Sequence, residues 1–215
     1  MKQRRITIFG SYNRNSIGDK VILISLLDLL LKNSKFKIDV ITLDKDSIAA
    51  EIKKHTWKEN VNIIPLRSEV KGAPKTTKSS IFRKIPGIAQ IILGGMVFNK
   101  SLKKVNIKDS DALVIGGGNL LMDMYPSWPI RLFILQKRFT VQNKPTYFVG
   151  VGAFPIKSKI NSYLLKYVLK KARLIFVRDQ ETQKFIQNRW KIENKSHPDL
   201  AFSYPRKEIK QEREN

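Results

Sequence analysis

The stretch DALVIGGGNLLMD, residues 111–123, decides how this chain is read. A short apolar run, Ala112, Leu113, Val114 and Ile115, stops at three consecutive glycines, Gly116, Gly117 and Gly118. A second apolar run then ends at an acid, Asp123. An apolar run with no polar alternation reads as a strand covered on both faces, as in parallel sheets. Glycine is needed where φ is positive or where another body comes too near the main chain for a side chain. The triplet therefore has two readings. One is a tight strand-to-helix turn. The other, which three glycines in a row favour, is bare backbone whose N–H groups face an anionic or polyhydroxy ligand.

Outward from that strand, the chain alternates. Strand-like runs lie at residues 5–10 (RITIFG), 37–44, 61–66, 145–152 (PTYFVGVG) and 174–179 (LIFVRD). Helical patterns lie at 19–33, 46–54, 129–141, 161–173 and 180–190. The first helix is apolar on most sides, broken only by Ser25 and Asp28, which predicts burial. The helix at 161–173 carries Leu164, Leu165, Val168, Leu169 and Ala172 on one side. Residues 198–202 (PDLAF) read as a last short strand, and the polar residues 71–80 as a mobile loop. Strands alternating with helices predict an α/β fold, a Rossmann-like doubly wound parallel sheet. The expected domain covers residues 1–205, and 206–215 are a charged tail or truncated linker.

Composition narrows the function classes. The 215 residues suffice for one real core and are few for two α/β domains. With no cysteine, a disulfide framework, a thiolate zinc site and a cysteine nucleophile are excluded. The same absence fits a reducing compartment, so a cytoplasmic location is expected. His55 and His197 lack ligand-like spacing to each other, so no metal site is expected. The start, MKQRRITIFG, has too short an apolar run for a signal peptide and reads as a first strand. Lys and Arg number 41 against 18 Asp and Glu, a formal charge of +23, which attracts anionic partners. The lysines are scattered, and no interleaved aromatic and basic motif appears, so nucleic acid is not the expected partner.

The longest apolar segment, IPGIAQIILGGMVF at residues 85–98, is too short to span a bilayer and contains Pro86 and three glycines. Arg83, Lys84, Lys100, Lys103 and Lys104 flank it. A helix lying in a membrane interface has this make-up. So does a core helix, which the lack of a clear polar face favours.

In wound sheets, ligands bind beyond the carboxyl ends of the strands. Four places there carry chemistry. In GSYNRNSIGDK, residues 10–20, a helix begins whose free N–H groups favour an anion. Asp19 stands there, either as the helix cap or as a hydroxyl-binding group or base facing the cleft. The second place is the glycine triplet with Asn119. The third is GVGAFP, residues 150–155; it resembles a dinucleotide fingerprint, but Pro155 replaces the last glycine and no ribose-binding acid follows. The fourth is Arg178 with Asp179, and Asp199 after the next helix. Arg178 either forks a carboxylate or phosphate, or pairs with neighbours while Asp179 caps the following helix. No G-x-S-x-G nucleophile elbow occurs.

In series, these motifs resemble the polysaccharide pyruvyl transferase family. That family shows an N-x-G-D loop, a strand and turn of the D-x-h-x-x-G-G-G type, a G-h-G turn, an R-D-x-x-S element and a late P-D-h-A-h element. Here they read NSIGD (residues 15–19), DALVIGGGNLLMD (111–123), VGVG (149–152), RDQET (178–182) and PDLAF (198–202). The early loop is one residue out of step, so Asn15 is displaced or Ser16 takes its place, and Thr182 stands where serine is frequent. Family members carry two Rossmann-like domains in a glycosyltransferase-B-like arrangement. This chain matches the first, acceptor-binding half, and a C-terminal domain, or a second copy, would have to complete it.

The resemblance implies transfer of the pyruvyl group of phosphoenolpyruvate to two hydroxyls of a cell-surface polysaccharide sugar, giving a cyclic ketal. Phosphoenolpyruvate is then a donor substrate, and no cofactor is needed. It implies Asp19 and Arg178 as catalytic groups. The acceptor, a glycan or lipid-linked sugar, falls to Asn15, Ser16, Gly18, Gly116, Gly117, Gly118, Asn119, Asp123, Gly150, Gly152, Asp179 and Asp199. Acceptors on a lipid phosphate would bring the basic chain to the inner face of an anionic membrane. Two other functions fit the fold, a nucleotide-sugar glycosyltransferase and a non-catalytic glycan- or anion-binding domain.

Overall fold

A computed structural model describes residues 3–12, 16–32, 36–42, 44–66 and 87–204. Asn15, the loop expected at 71–80 and the tail expected at 206–215 lie outside the described residues. Seven strands form one parallel sheet: β1 (Arg5–Phe9), β2 (Lys37–Thr42), β3 (Val61–Pro65), β4 (Ala112–Gly116), β5 (Thr146–Val151), β6 (Leu174–Val177) and β7 (Lys195–Ser196). Their order is β3-β2-β1-β4-β5-β6-β7. The winding reverses between β1 and β4, so the switch point lies beside the glycine triplet.

Among the described residues, six α-helices cover the sheet: α1 (Ile17–Leu31), α2 (Lys45–Ile52), α3 (Gly87–Ser101), α4 (Trp128–Thr140), α5 (Lys159–Lys170) and α6 (Gln180–Trp190). Successive strand residues serve opposite layers, as the two-residue pleat requires. Ile8, Val40 and Val114 join α1 and α2 in one core cluster. Phe9, Ile41, Ile115 and Phe148 join the cluster on the other face, with Leu132 and Leu135 of α4, Leu165 and Val168 of α5 and Ile186 of α6.

Among the described strand residues, one charged side chain is buried in the sheet. Asp39 on β2 is 1% exposed. Arg5 Nη1 on β1 donates to both its oxygens at 3.1 Å, and Asn62 Nδ2 on β3 donates at 2.8 Å. A buried carboxylate persists only when its lone pairs are filled, and this one ties three strands together.

Three expectations are corrected. Residues 198–202 are not a strand: Leu200–Ser203 form a 3-10 turn that packs on α1, and the last strand is β7. The segment at 85–98 is not simply a core helix. Ile91, Gly95 and Phe98 of α3 are buried, but Ile92, Leu93, Met96 and Val97 are exposed. Gly94 and Gly95 let that helix lie close on α4, where added Cβ atoms would meet Ser127 at 2.3 Å and Ile130 at 3.0 Å. And α1 is buried chiefly from Ile22 to Leu27, while Leu29 is 56% exposed.

Candidate functional site at the switch point

The site grows from the ends of β1 and β4. Tyr12, two residues past Gly10, is 2% exposed and donates its hydroxyl to the Gly116 carbonyl at 2.9 Å. Burial, reinforced by the Asp19 carboxylate, pushes the phenol far above its ordinary range, so it stays protonated. Gly10 must be glycine, because a Cβ would stand 2.4 Å from that same carbonyl.

Helix α1 starts beside it. Its cap is Ser16, whose hydroxyl accepts from the Asp19 N–H at 3.1 Å. The reading of Asp19 as the cap is corrected accordingly. Asp19 sits in the first turn, and Gly118 lies against its carboxylate: a Cβ there would stand 3.2 Å from Asp19 Oδ1. Partial burial raises the Asp19 pKa, and hydrogen bonds from Ser16 and Ser11 offset only part of this. Gly18, next to it, is exposed, and a Cβ there would meet Ser16 Oγ at an ordinary 3.9 Å.

The triplet does not form the open platform expected of it. Gly116, Gly117 and Gly118 are all buried. A Cβ on Gly116 would stand 2.9 Å from Leu26, and one on Gly117 2.4 Å from Ile22. The Gly117 N–H is spent on the Val149 carbonyl at 3.1 Å. Gly117 and Gly118 have φ of 77° and 72°, which side chains rarely adopt. The body that comes close to this backbone is therefore α1, and the glycines exist so that the helix can seat on the turn.

The unfilled group lies one residue further on. Asn119 is half-buried, and its amide oxygen is buried with no hydrogen-bond donor among the described residues. It points over Gly152 at the end of β5, where a Cβ would stand 2.5 Å from Asn119 Oδ1 and 2.6 Å from Arg178 Nε. Gly152 thus lets residues from β4 and β6 converge. Gly150 serves packing instead: φ is 66°, a bulge interrupts the register between Val149 and Val151, and a Cβ would meet Leu200 at 2.9 Å.

Arg178 is held rather than free. Its Nε donates to Asp179 at 3.2 Å, and Nη1 stands 3.9 Å from Asp199. Asp179 caps α6 through the Thr182 N–H at 2.6 Å. Burial alone would raise its pKa, but the bonds from Thr182 and Arg178 outweigh that and hold it below the ordinary range. The neighbour-pairing reading of Arg178 is the one observed. Thr182 keeps the hydroxyl that serine would supply, accepting from the Ala153 N–H at 3.0 Å. Asp199 accepts from the Ala201 N–H at 2.9 Å and so starts the last turn. Asp123 stands apart from this cluster; it accepts from the N–H groups of Lys157 and Ser158 at 2.9 and 2.7 Å, fastening the loop before α5.

Asp19, Asn119, Gly152, Arg178, Asp179 and Asp199 are therefore brought to one edge, and a cleft of about 620 Å³ lined by Arg178, Asp179, Gln183 and His197 opens beside them. His197 is exposed, its ring edge-on to Phe176. Among the described residues no cluster of His, Asp and Glu is arranged to hold a metal. Sequence reasoning passed over Tyr12 and Ser11; the available signal was a lone aromatic two residues past a strand-ending glycine.

The family model for polysaccharide pyruvyl transferase matches residues 17–215. The chain belongs to this family. A search of curated proteins finds no match. Among solved structures, UGT71G1 of Medicago truncatula complexed with UDP-glucose is similar at 10% identity and a TM-score of 0.53, covering 91% of this chain and 51% of that one. UGT2 of Phytolacca americana complexed with UDP-2fluoro-glucose and pterostilbene is 9% identical, with a TM-score of 0.44 over 92% of this chain and 54% of that one. At such identity the likeness concerns the fold, one half of a glycosyltransferase-B architecture. The chain spans about half the length of these structures. Ser16 and Asp19 stand at the start of α1, and Arg178 and Asp179 at the end of β6.

Proposed function

We propose that this family member binds the sugar acceptor for transfer of a pyruvyl group from phosphoenolpyruvate, and supplies the base for it. The observation that carries the reading is the buried amide oxygen of Asn119 at the switch point, which finds no donor among the described residues. An unfilled buried acceptor costs about 1–3 kcal/mol, and a sugar hydroxyl donating to it would remove that cost. Asp19 takes the proton of the attacking hydroxyl; a carboxyl raised by burial is a better base than an exposed one.

A proton adds to the methylene carbon of the donor while one sugar hydroxyl oxygen bonds to the carbon bearing phosphate, and the proton that this hydroxyl gives up balances the one the carbon gains. A second hydroxyl of the same sugar then displaces inorganic phosphate, which leaves with that hydroxyl's proton, closing the ketal with no change of oxidation state. The donor's carboxylate and phosphate require cations. The Arg178 charge is already shared with Asp179 and Asp199, so most donor binding is assigned to a second half of the enzyme. Arg178 keeps the acceptor side in register.

Calorimetric titration of acidic cell-surface glycan fragments into the chain tests this. Asn119→Ala and Asp19→Asn should each weaken binding about tenfold or more. Unchanged affinity in both variants would remove the acceptor reading. Phosphate release from phosphoenolpyruvate, against release of nucleotide from a nucleotide sugar, separates pyruvyl transfer from glycosyl transfer in the completed enzyme.

A further inference from the structure

We propose that the groove between α3 and α4 is a docking surface for an anionic phospholipid bilayer. The inference goes beyond the acceptor reading and does not depend on it.

Helix α3 puts Ile91, Gly95 and Phe98 against the core and leaves Ile92 55%, Leu93 44%, Met96 64% and Val97 39% exposed. The four form one stripe, since positions three and four apart share a helix face. Ile92 and Met96 of this stripe line the groove, whose volume is about 910 Å³, together with Val141 just past the end of α4, which is 73% exposed. Large aliphatic side chains held together in water are costly unless something covers them.

The rim shows what covers them. Lys103, Lys104, Lys108, Lys137 and Arg138 line the groove, and the described residues lining it include no Asp or Glu. Lys100, on the same helix, is exposed as well. A second copy of this chain would set like charge against like charge. Nucleic acid would satisfy the cations and leave the aliphatic stripe wet, with no exposed aromatic ring in the stripe on which a base could stack. An anionic bilayer meets both demands: side chains enter the headgroup and acyl boundary while lysines meet lipid phosphates. No described helix is long and apolar enough to cross a membrane, so the contact is peripheral.

Flotation of the chain with vesicles tests this, using phosphatidylcholine alone and phosphatidylcholine mixed with phosphatidylglycerol. Binding is expected only with the anionic mixture and should fall as salt rises. The pair Met96→Ser, Val97→Ser leaves the charge unchanged and should weaken binding about tenfold through lost apolar insertion. The pair Lys103→Glu, Lys104→Glu should weaken it at least as much. A charge-matched control away from the groove, Lys53→Glu with Lys170→Glu, should bind within about twofold of the parent. No flotation with the anionic vesicles overturns the proposal. So does a serine pair that floats like the parent, or a control pair that loses as much as the groove pair, since either means adsorption by bulk charge alone. A chain that dimerises in sedimentation, and is made monomeric by the serine pair, assigns the face to a second copy instead. All changed positions are exposed side chains, and thermal melts matching the parent verify folding of each variant.

Discussion

At the scale of single residues, backbone geometry and burial decide what the site can do. Gly117 combines a φ of 77° with a Cβ position 2.4 Å from Ile22. Gly117→Ala should therefore cost about 2–4 kcal/mol, since both strain and overlap must be absorbed, and a urea melt measures it. A loss under half a kilocalorie would mean that α1 moves freely off the turn. Asp19 gives a pH-dependent counterpart. Its folded pKa is raised by burial, so the stability tied to its protonated form is fully present below about pH 3.9 and is lost as pH rises through the raised value. Asp19→Asn cannot ionise. Its melting temperature relative to the parent should rise from pH 3 to pH 7, and a difference that stays flat would contradict the burial of this carboxylate.

At the scale of elements, polar groups fix how strands and helices meet. Asp39 is shared by β1, β2 and β3 through Arg5 and Asn62. Asp39→Ala should cost about 3 kcal/mol in chemical denaturation, because the partners lose a fully desolvated acceptor. Asp39→Asn should cost less, since an amide oxygen still accepts. The helix starts at the carboxyl edge follow the same logic. Ser16 and Asp179 cap α1 and α6 by accepting from the third residue of each. Those caps hold Asp19 and Arg178 where the strands end, which links local hydrogen bonding to the site.

At the scale of the whole molecule, one sheet separates two apolar layers. Leu27 of α1 lies in one and Leu165 of α5 in the other, both fully buried. Adjacent β-strand residues contribute to each layer in turn, so neither layer keeps its shape without the sheet. Leu27→Ala and Leu165→Ala should each cost about 3 kcal/mol and should lower the midpoint of one common transition. Two resolved transitions, each sensitive to one variant, would show layers that fold independently. The same architecture puts the candidate site at the carboxyl edge of the sheet and the basic apolar groove in the α3–α4 layer.

The alternation of strands and helices was legible because each run keeps one period, so the α/β class, the parallel sheet and five helices could be read from residue order. The motif series put Asp19, Asn119, Arg178 and Asp179 beyond strand ends, where they stand in the fold, since chain position relative to a strand is local information; Asp199 fell in a strand expected at 198–202 that is a 3-10 turn instead. What closes over a glycine is not local. Ile22 and Leu26 lie some ninety residues before the triplet they cover, so only the folded chain could show that the bare backbone receives a helix and that the unfilled polar atom is the neighbouring Asn119. The exposed stripe on α3 was hidden for the same reason: an apolar residue states a preference for burial, and whether a neighbour satisfies it is settled by packing in three dimensions.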